Sequence, residues 1–380
     1  MDTGNFYGIT SHTYGNNGDL YYRTDENILY RKYNDAWHVE NAFGNVTTGD
    51  VAPDNATGDD GDQYINIATG DFYRKDAGVW ELESNLLDQF NRFGYWFSAF
   101  TNLVGIPESF ETVEIVGNVT EIKAGTFAYC EYLKEVILPD SVTTIGDHAF
   151  EYCTSLKSVD MPSSLNFVGD YAFYCCVGLE NVEFCGLIDR IGEYAFSSCY
   201  SLSSLSLDVR VIGEGAFDGC VNLLQVYLIQ DYLTEIGDGA FCSCQLLTSV
   251  IFATRLSIHP ASCTIGEEAF RGCVTLQYIN FCGSVITSIG QSAFSNCSSL
   301  TFISFNDGLT SIGANAFESC YGLAAIRLPS SVASIGENAF KDCYSLRTVL
   351  YGASSDTAWN AITINSGNDY LTSATRKYNA

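Results

Sequence analysis

Fifteen cysteines, four histidines and 45 carboxylates are the groups in this 380-residue chain that could bind metal or attack a substrate. Their spacing argues against both. Ten of the cysteines stand at 130, 153, 176, 199, 220, 244, 273, 297, 320 and 343, one recurring position of a repeat. A position filled ten times over is a packing position, where a thiol acts as a small hydrophobe. Stacked thiols also come near bridging range, but free thiols are the expectation. That many unpaired cysteines point to synthesis in a reducing compartment. Cys175, Cys185, Cys242, Cys263 and Cys282 lie outside the column, and neither Cys175-Cys176 nor Cys242-x-Cys244 has the paired spacing of a zinc site. The histidines, His12, His38, His148 and His259, sit in unrelated contexts. No Gly-x-Ser-x-Gly, P-loop or His-Glu-x-x-His occurs. Glycoside hydrolysis needs two carboxylates across a cleft, whereas a repeat offers a face. The chain therefore reads as non-enzymatic, with no cofactor or metal required.

The elements that position these residues are set by a phrase, Ile-Gly-x-x-Ala-Phe-x-x-Cys-x-x-Leu-x-x-Val-x-Leu, running from about residue 122 to 351. Its phenylalanines fall at 127, 150, 173, 196, 217, 241, 270, 294, 317 and 340, with a gap of 21 after 196 and of 29 after 241. A period of this length is a solenoid, in which stacked copies bury what one copy cannot. Val-x-Leu alternates like a short strand, apolar side inward. The following Pro-Asp-Ser or Pro-Ser-Ser (139–141, 162–164, 329–331) predicts a turn. Ile-Gly predicts a tight bend. Ala-Phe-x-x-Cys-x-x-Leu predicts one short helical turn of 3₁₀ type.

The phrase resembles the BspA-like, or treponemal-type, leucine-rich repeats. The resemblance implies a leucine-rich-repeat solenoid of short parallel strands and short helical turns, with ten repeats over 116–351. Trp359-Asn-Ala-Ile-Thr-Ile and Gly367 to Tyr378 look like that family's closing segment, which makes 352–380 a C-terminal cap. At the other end, 86–115 reads as an entering cap. Within it Phe110–Ile115 is the strand half of a unit, and the aromatic-rich run Leu86–Phe100 is a lid.

Residues 1–85 carry a different repeat, offset by 43. Gly18-Asp-Leu-Tyr21, Tyr30-Arg-Lys32 and Trp37 match Gly61-Asp-Gln-Tyr64, Tyr73-Arg-Lys75 and Trp80. Each copy predicts a β-hairpin, with a turn at Thr24–Asn27 or at 68–71, leading to its tryptophan. A lone hairpin is marginal in water. Tyr21, Tyr30, Trp37, Tyr64, Tyr73 and Trp80 are therefore the candidate attachment residues. The pattern resembles hairpin segments of phage tail fibres and of large-virus appendage proteins. Between the copies, Val46–Gly61 reads as a solvated acidic linker, and its Asp54, Asp59 and Asp60, with Asp62, lack EF-hand spacing.

With 18 Lys and Arg against 45 Asp and Glu, the net charge of −27 excludes a nucleic-acid partner. No run of ~18 apolar residues predicts a membrane span, and no export signal is visible at the start. Four sequons, at Asn45, Asn55, Asn118 and Asn296, matter only in a secretory pathway. Together the two resemblances imply a virion appendage of tail-fibre, spike or decoration type. Its N-terminal region would meet virion or surface-assembly proteins, its repeats would meet a host surface protein or glycan, and homo-oligomers stay open. A cell-surface adhesin and a purely architectural protein are the alternatives. The outward strand positions localise the contact. Tyr227, Ile251, Tyr278 and Phe302 are expected to form one apolar patch. The long gap's insertion, 252–264 with His259, is the second candidate.

Overall fold

A computed structural model describes residues 20–23, 28–33, 36–39, 46–49, 53–57, 63–66, 71–85, 112–115, 119–229, 231–253, 262–281 and 285–379. The repeat region is a parallel β-solenoid. Its Val-x-Leu segments form one face in three ladders: Thr112–Glu114 to Asn181–Phe184, Ser204–Ile212 to Tyr278–Asn280, and Phe302–Ser304 to Thr375–Tyr378. Alternation sets the sides: in Ser158–Met161, Val159 and Met161 are buried while Asp160 is exposed.

Each coil also has a second short strand, which the phrase had not suggested. It ends on the repeat isoleucine, or on Val168 in one coil, and these strands form a continuous ladder from Glu121–Ile122 to Thr363–Ile364. In the 21-residue coil no turn fits between the two strands, and Ser204–Ile212 runs unbroken through both ladders.

The core is a set of columns. The ten phenylalanines are fully buried and stack ring on ring, with centroids 4.8–5.3 Å apart. Beside them the cysteine column does more than pack. From Cys153 onward, each column thiol donates to the carbonyl of the preceding coil's phenylalanine at 3.0–3.3 Å. Cysteine is thus the small apolar side chain that also carries a weak donor. Burial pushes the Cys263 and Cys343 thiols up to about 12, and those of Cys176, Cys199, Cys244, Cys297 and Cys320 well above their ordinary value.

Two local expectations are corrected. The Ala-Phe-x-x-Cys run is not helical. Phe150 N–H bonds Ala172 O at 2.7 Å and Tyr152 N–H bonds Tyr174 O at 2.8 Å, both in the next coil. Between them, Glu151 and Cys153 N–H turn back to His148 and Phe150 O at 3.1 Å. Alternate donors are committed between coils, so a helical ladder cannot form. Among the described residues the α-helices are Asp356–Asn360 and Asp369–Ser373, both in the tail. The second correction concerns Ile-Gly. Its glycine has no positive φ and makes no special bend. It is needed because coils nearly touch there: a Cβ on Gly169 would lie 2.5 Å from Asp147 N and 2.6 Å from Gly146 C.

The Pro turns form as expected, with Val142 N–H to Pro139 O at 3.1 Å and Leu165 N–H to Pro162 O at 3.0 Å. Thr112–Glu114 pairs in parallel with Glu135–Ile137, so Val113 and Ile115 begin the core. The lid run 86–100 lies outside the described residues. At the far end Thr363–Ile364 and Thr375–Tyr378 extend the two strand sets. The buried Trp359 packs edge-on to Tyr351 at 5.4 Å, and Asn368 clamps the last coil through Gly336 O and Phe340 N–H. The insertion narrows to 254–261, because Phe252 and Cys263 are buried strand residues. Residues 254–261, with His259, lie outside the described residues.

Near the N-terminus the expected hairpins are three-stranded meanders. Leu20–Arg23, Ile28–Tyr33 and Ala36–Val39 pair antiparallel. Gln63–Asn66, Asp71–Asp76 and Val79–Asn85 do the same, each strand starting 43 residues later. The tryptophan sits in the third strand, Ala36–Val39 or Val79–Asn85, which a two-stranded hairpin does not include. Part of the supposed linker, Val46–Gly49, pairs in parallel with Gln63–Asn66.

Candidate interaction surface

On the strand face, side chains between the buried anchors project outward in two columns. Parallel register puts Tyr227 opposite Ile251, Ile251 opposite Asn280, and Ser249 opposite Tyr278. Tyr227 and Ile251 therefore share one column, while Tyr278 lies two residues along in the other. Phe302 follows in Tyr278's column but opens a new ladder, pairing with Ala325. The four residues form a diagonal of two pairs rather than a row, with diagonal neighbours about 7–8 Å apart. Tyr227, Tyr278 and Phe302 are 38%, 49% and 38% exposed, and Ile251 is half-buried. Tyr227 Oη donates to Gln225 Oε1 at 3.2 Å.

The opposite, turn side carries a feature that sequence reasoning missed. Every coil holds two residues in the left-handed region. One stands two residues before the phenylalanine: Gly125, His148, Tyr171, Tyr194, Gly215, Gly239, Glu268, Ser292, Asn315 and Asn338, with φ of 51–69°. The other precedes Cys: Tyr129, Tyr152, Cys175, Ser198, Gly219, Ser243, Gly272, Asn296, Ser319 and Asp342, with φ of 56–74°. Gly, Asn and Asp take this conformation readily, but a bulky ring there is an outlier. The tyrosines are confined to the early coils, where their rings meet. Tyr129 stacks on Tyr152 at 5.2 Å, and His148 and Tyr194 stack on Tyr171, each at 5.2 Å. Tyr174 joins the two stacks edge-on, 5.6 Å from Tyr152 and 5.5 Å from Tyr171. Exposed His148 contacts Glu151 at 3.2 Å. Tyr194 Oη donates to Glu214 at 2.8 Å, and this bond holds the phenol up to about 12.

A family model described as a BspA type leucine rich repeat region matches residues 120–248 and 234–362. The chain belongs to the BspA-type leucine-rich-repeat family. Solved structures it resembles include a leucine rich cell surface protein of Faecalibacterium prausnitzii, 26% identical over 67% of this chain and 94% of that one, TM-score 0.32. A leucine-rich repeat protein of Bacteroides ovatus is 22% identical over 80% and 97%, TM-score 0.34. One from Treponema pallidum is 25% identical over 53% and 89%, TM-score 0.39. A comparison with curated proteins returns no significant match.

As a BspA-type repeat protein, the chain has a surface in which buried positions are fixed and outward ones are free to vary. The N-terminal candidates fall on a separate sheet. Tyr64 faces Tyr73 in the register and meets it at 6.3 Å, with Trp80 at 5.8 Å from Tyr64. Trp80 Nε1 and buried Lys75 both donate to backbone oxygens of the 54–57 turn, so this part of the supposed solvated loop is docked. Asp54 Oδ1 accepts from Ala56 N–H within that turn. Asn55 Oδ1 accepts from Trp80 N–H at 2.8 Å. Asp59, Asp60 and Asp62 lie outside the described residues. In the first copy the backbone repeats the register: Tyr21 faces Tyr30, and Lys32 faces Trp37. The side chains of Tyr21, Tyr30 and Trp37 lie outside the described residues.

Proposed function

We propose that the protein is a non-enzymatic binding protein whose solenoid displays a rigid face to a host or cell-surface partner, in the manner of a cell-surface adhesin. One observation carries this reading: three large side chains, Tyr227, Tyr278 and Phe302, stay well exposed on a sheet whose inner side is packed. Exposed aromatics on a rigid scaffold are the residues that anchor contacts. The test is adhesion of beads coated with the full chain to whole cells. The triple variant Tyr227→Ser, Tyr278→Ser, Phe302→Ser keeps its unfolding free energy within about 0.5 kcal/mol per site and loses adhesion. Unchanged adhesion with unchanged folding removes the patch.

A second form of the reading makes the protein a virion appendage. The N-terminal meanders, 1–85, would join it to virion or surface-assembly proteins, and the repeats would face the host. The cysteines favour it: the column thiols donate to Phe carbonyls, and the described cysteines are free thiols, as suits synthesis in a reducing cytosol before release. Mass spectrometry of purified particles decides it, and absence from them leaves the adhesin reading alone.

A further inference from the structure

We propose that the strand face docks onto the strand face of a second copy of this chain, related by a two-fold axis that lies in the face and runs along the strands. The proposal rests on the reading of this face as the contact surface, and it names the partner: the same chain carried on the opposing surface.

Charge on the face is sorted. Its strands run in order from Thr112–Glu114, the first, to Thr375–Tyr378, the twelfth. In the two outward columns the second to fourth strands carry exposed Glu135, Asp160 and Glu183 and no base. The fifth to ninth carry no charge, and the tenth and twelfth carry exposed Arg327 and Lys377. This basic end stands on a chain of net charge −27. Among the described residues none of these five charges is in an ion pair. Asp160 and Glu183 even stand directly opposite each other in the register, which costs a sheet stability. Nearby Lys157 is taken up by Glu180 at 2.9 Å. A like-charge pair kept exposed and unpaired fits a cation supplied from outside the chain.

Shape repeats the symmetry. The axis falls between the seventh and eighth strands, Ser249–Ala253 and Tyr278–Asn280, in the middle of the diagonal made by Tyr227, Ile251, Tyr278 and Phe302. It sets the sixth strand against the ninth and the seventh against the eighth, column on column. Each apolar side chain then meets a smaller polar one of the second copy. Tyr227 meets Ser304, Ile251 meets Asn280, Tyr278 meets Ser249 and Phe302 meets Gln225. The diagonal is thus a set of knobs facing its own holes. The same axis sets Asp160 against Lys377, and Arg327 against Ser206, one strand from Glu183. Contacts across a two-fold are isologous, so each of these pairs occurs twice. Sheets packed face to face with nearly aligned strands are an ordinary arrangement. A partner of other sequence would have to reproduce this order of acid, aromatic and base, whereas a second copy supplies it by symmetry.

Sedimentation velocity of the full chain, from about 1 to about 100 µM at physiological salt, tests this. The wild type should form dimers. Arg327→Glu with Lys377→Glu makes both ends of the face acidic. Glu135→Lys with Asp160→Lys and Glu183→Lys makes both ends basic. Each variant alone should dimerise at least about tenfold more weakly than the wild type. Mixed in equal amounts they should recover a dimer of one of each, because acid then meets base at both ends. That recovery also shows that both variants are folded. Net charge alone predicts the reverse for the lysine variant, which is less acidic and would associate more tightly than the wild type. The proposal is overturned by a wild type that stays monomeric at about 100 µM, by a lysine variant that associates as well as the wild type, or by a mixture that recovers no dimer. The binding reading fails separately, through adhesion to cells. Loss of adhesion in the serine variant beside a monomeric wild type would keep that reading and remove this one.

Discussion

Two aromatic ladders run side by side in the first coils, two residues apart in sequence. Phe127 stacks on Phe150 at 4.8 Å with rings 4° from parallel, and Tyr129 stacks on Tyr152 at 5.2 Å and 10°. The geometry is nearly the same, yet the phenylalanine ladder continues through all ten coils and the tyrosine ladder stops. The inner ladder persists because every coil must fill the same volume at crystal-like density. Nothing in the folding problem fixes the outer one: after Tyr152 its positions pass to Cys175, Ser198 and Gly219, and after Tyr194 the neighbouring column passes to glycine, glutamate, serine and asparagine. Where environment dictates a residue, repetition signals packing. Where it does not, a local departure signals use.

The comparison can be pressed hardest with pH. Burial makes Cys176, Cys199, Cys244, Cys263, Cys297, Cys320 and Cys343 hold their protons more tightly when folded than when unfolded, where a thiol titrates near 8.5. Their contribution is therefore complete below about pH 8.5 and is lost as pH rises toward about 12, the folded value for Cys263 and Cys343. Each such thiol steepens the fall by at most about 1.4 kcal/mol per pH unit. Several acting together should unfold the repeats under alkaline conditions, as read by circular dichroism against pH. A flat stability from pH 8 to 11 would contradict a set of buried, proton-bearing thiols.

A single ring comes next. Phe217→Ala in the middle of the inner ladder should cost about 3–5 kcal/mol in a guanidinium melt, since Phe217 is fully buried between Phe196 and Phe241. Smaller still is Gly272→Ala on the turn side. Its Cβ would meet nothing nearer than 3.8 Å, so the cost is the left-handed backbone alone, about 1–2 kcal/mol. A larger loss would mean that this side is packed more tightly than its openness suggests.

The difference between the ladders also explains what could be read from sequence. The anchors Ile, Ala, Phe, Cys, Leu, Val and Leu were legible because one environment recurs in every coil. Outward residues such as Tyr227 and Tyr278 followed from strand alternation. The left-handed columns were not legible, because Tyr, His, Cys, Ser, Gly, Glu, Asn and Asp share no chemistry. Only the Gly, Asn and Asp of later coils, from Gly215 to Asp342, hinted at a backbone rule. Reading apolar spacing as a helical turn failed for a related reason: local periodicity does not reveal that Phe150 N–H bonds the next coil. The isoleucine strands, often two residues long, were too short for any alternation to register.

The central claim is that the inner ladder folds the chain and the outer one does not. Denaturant unfolding of Tyr129→Gly tests it most directly. Relief of the left-handed backbone, about 1–2 kcal/mol, opposes the loss of one ring pair, about 0.5–1.5 kcal/mol, and the greater freedom of glycine in the unfolded chain, about 0.5–1 kcal/mol. The predicted change is no more than about 1.5 kcal/mol. A loss of about 3 kcal/mol or more, the scale of a core phenylalanine, would contradict the account and make the tyrosine ladder part of the folding core.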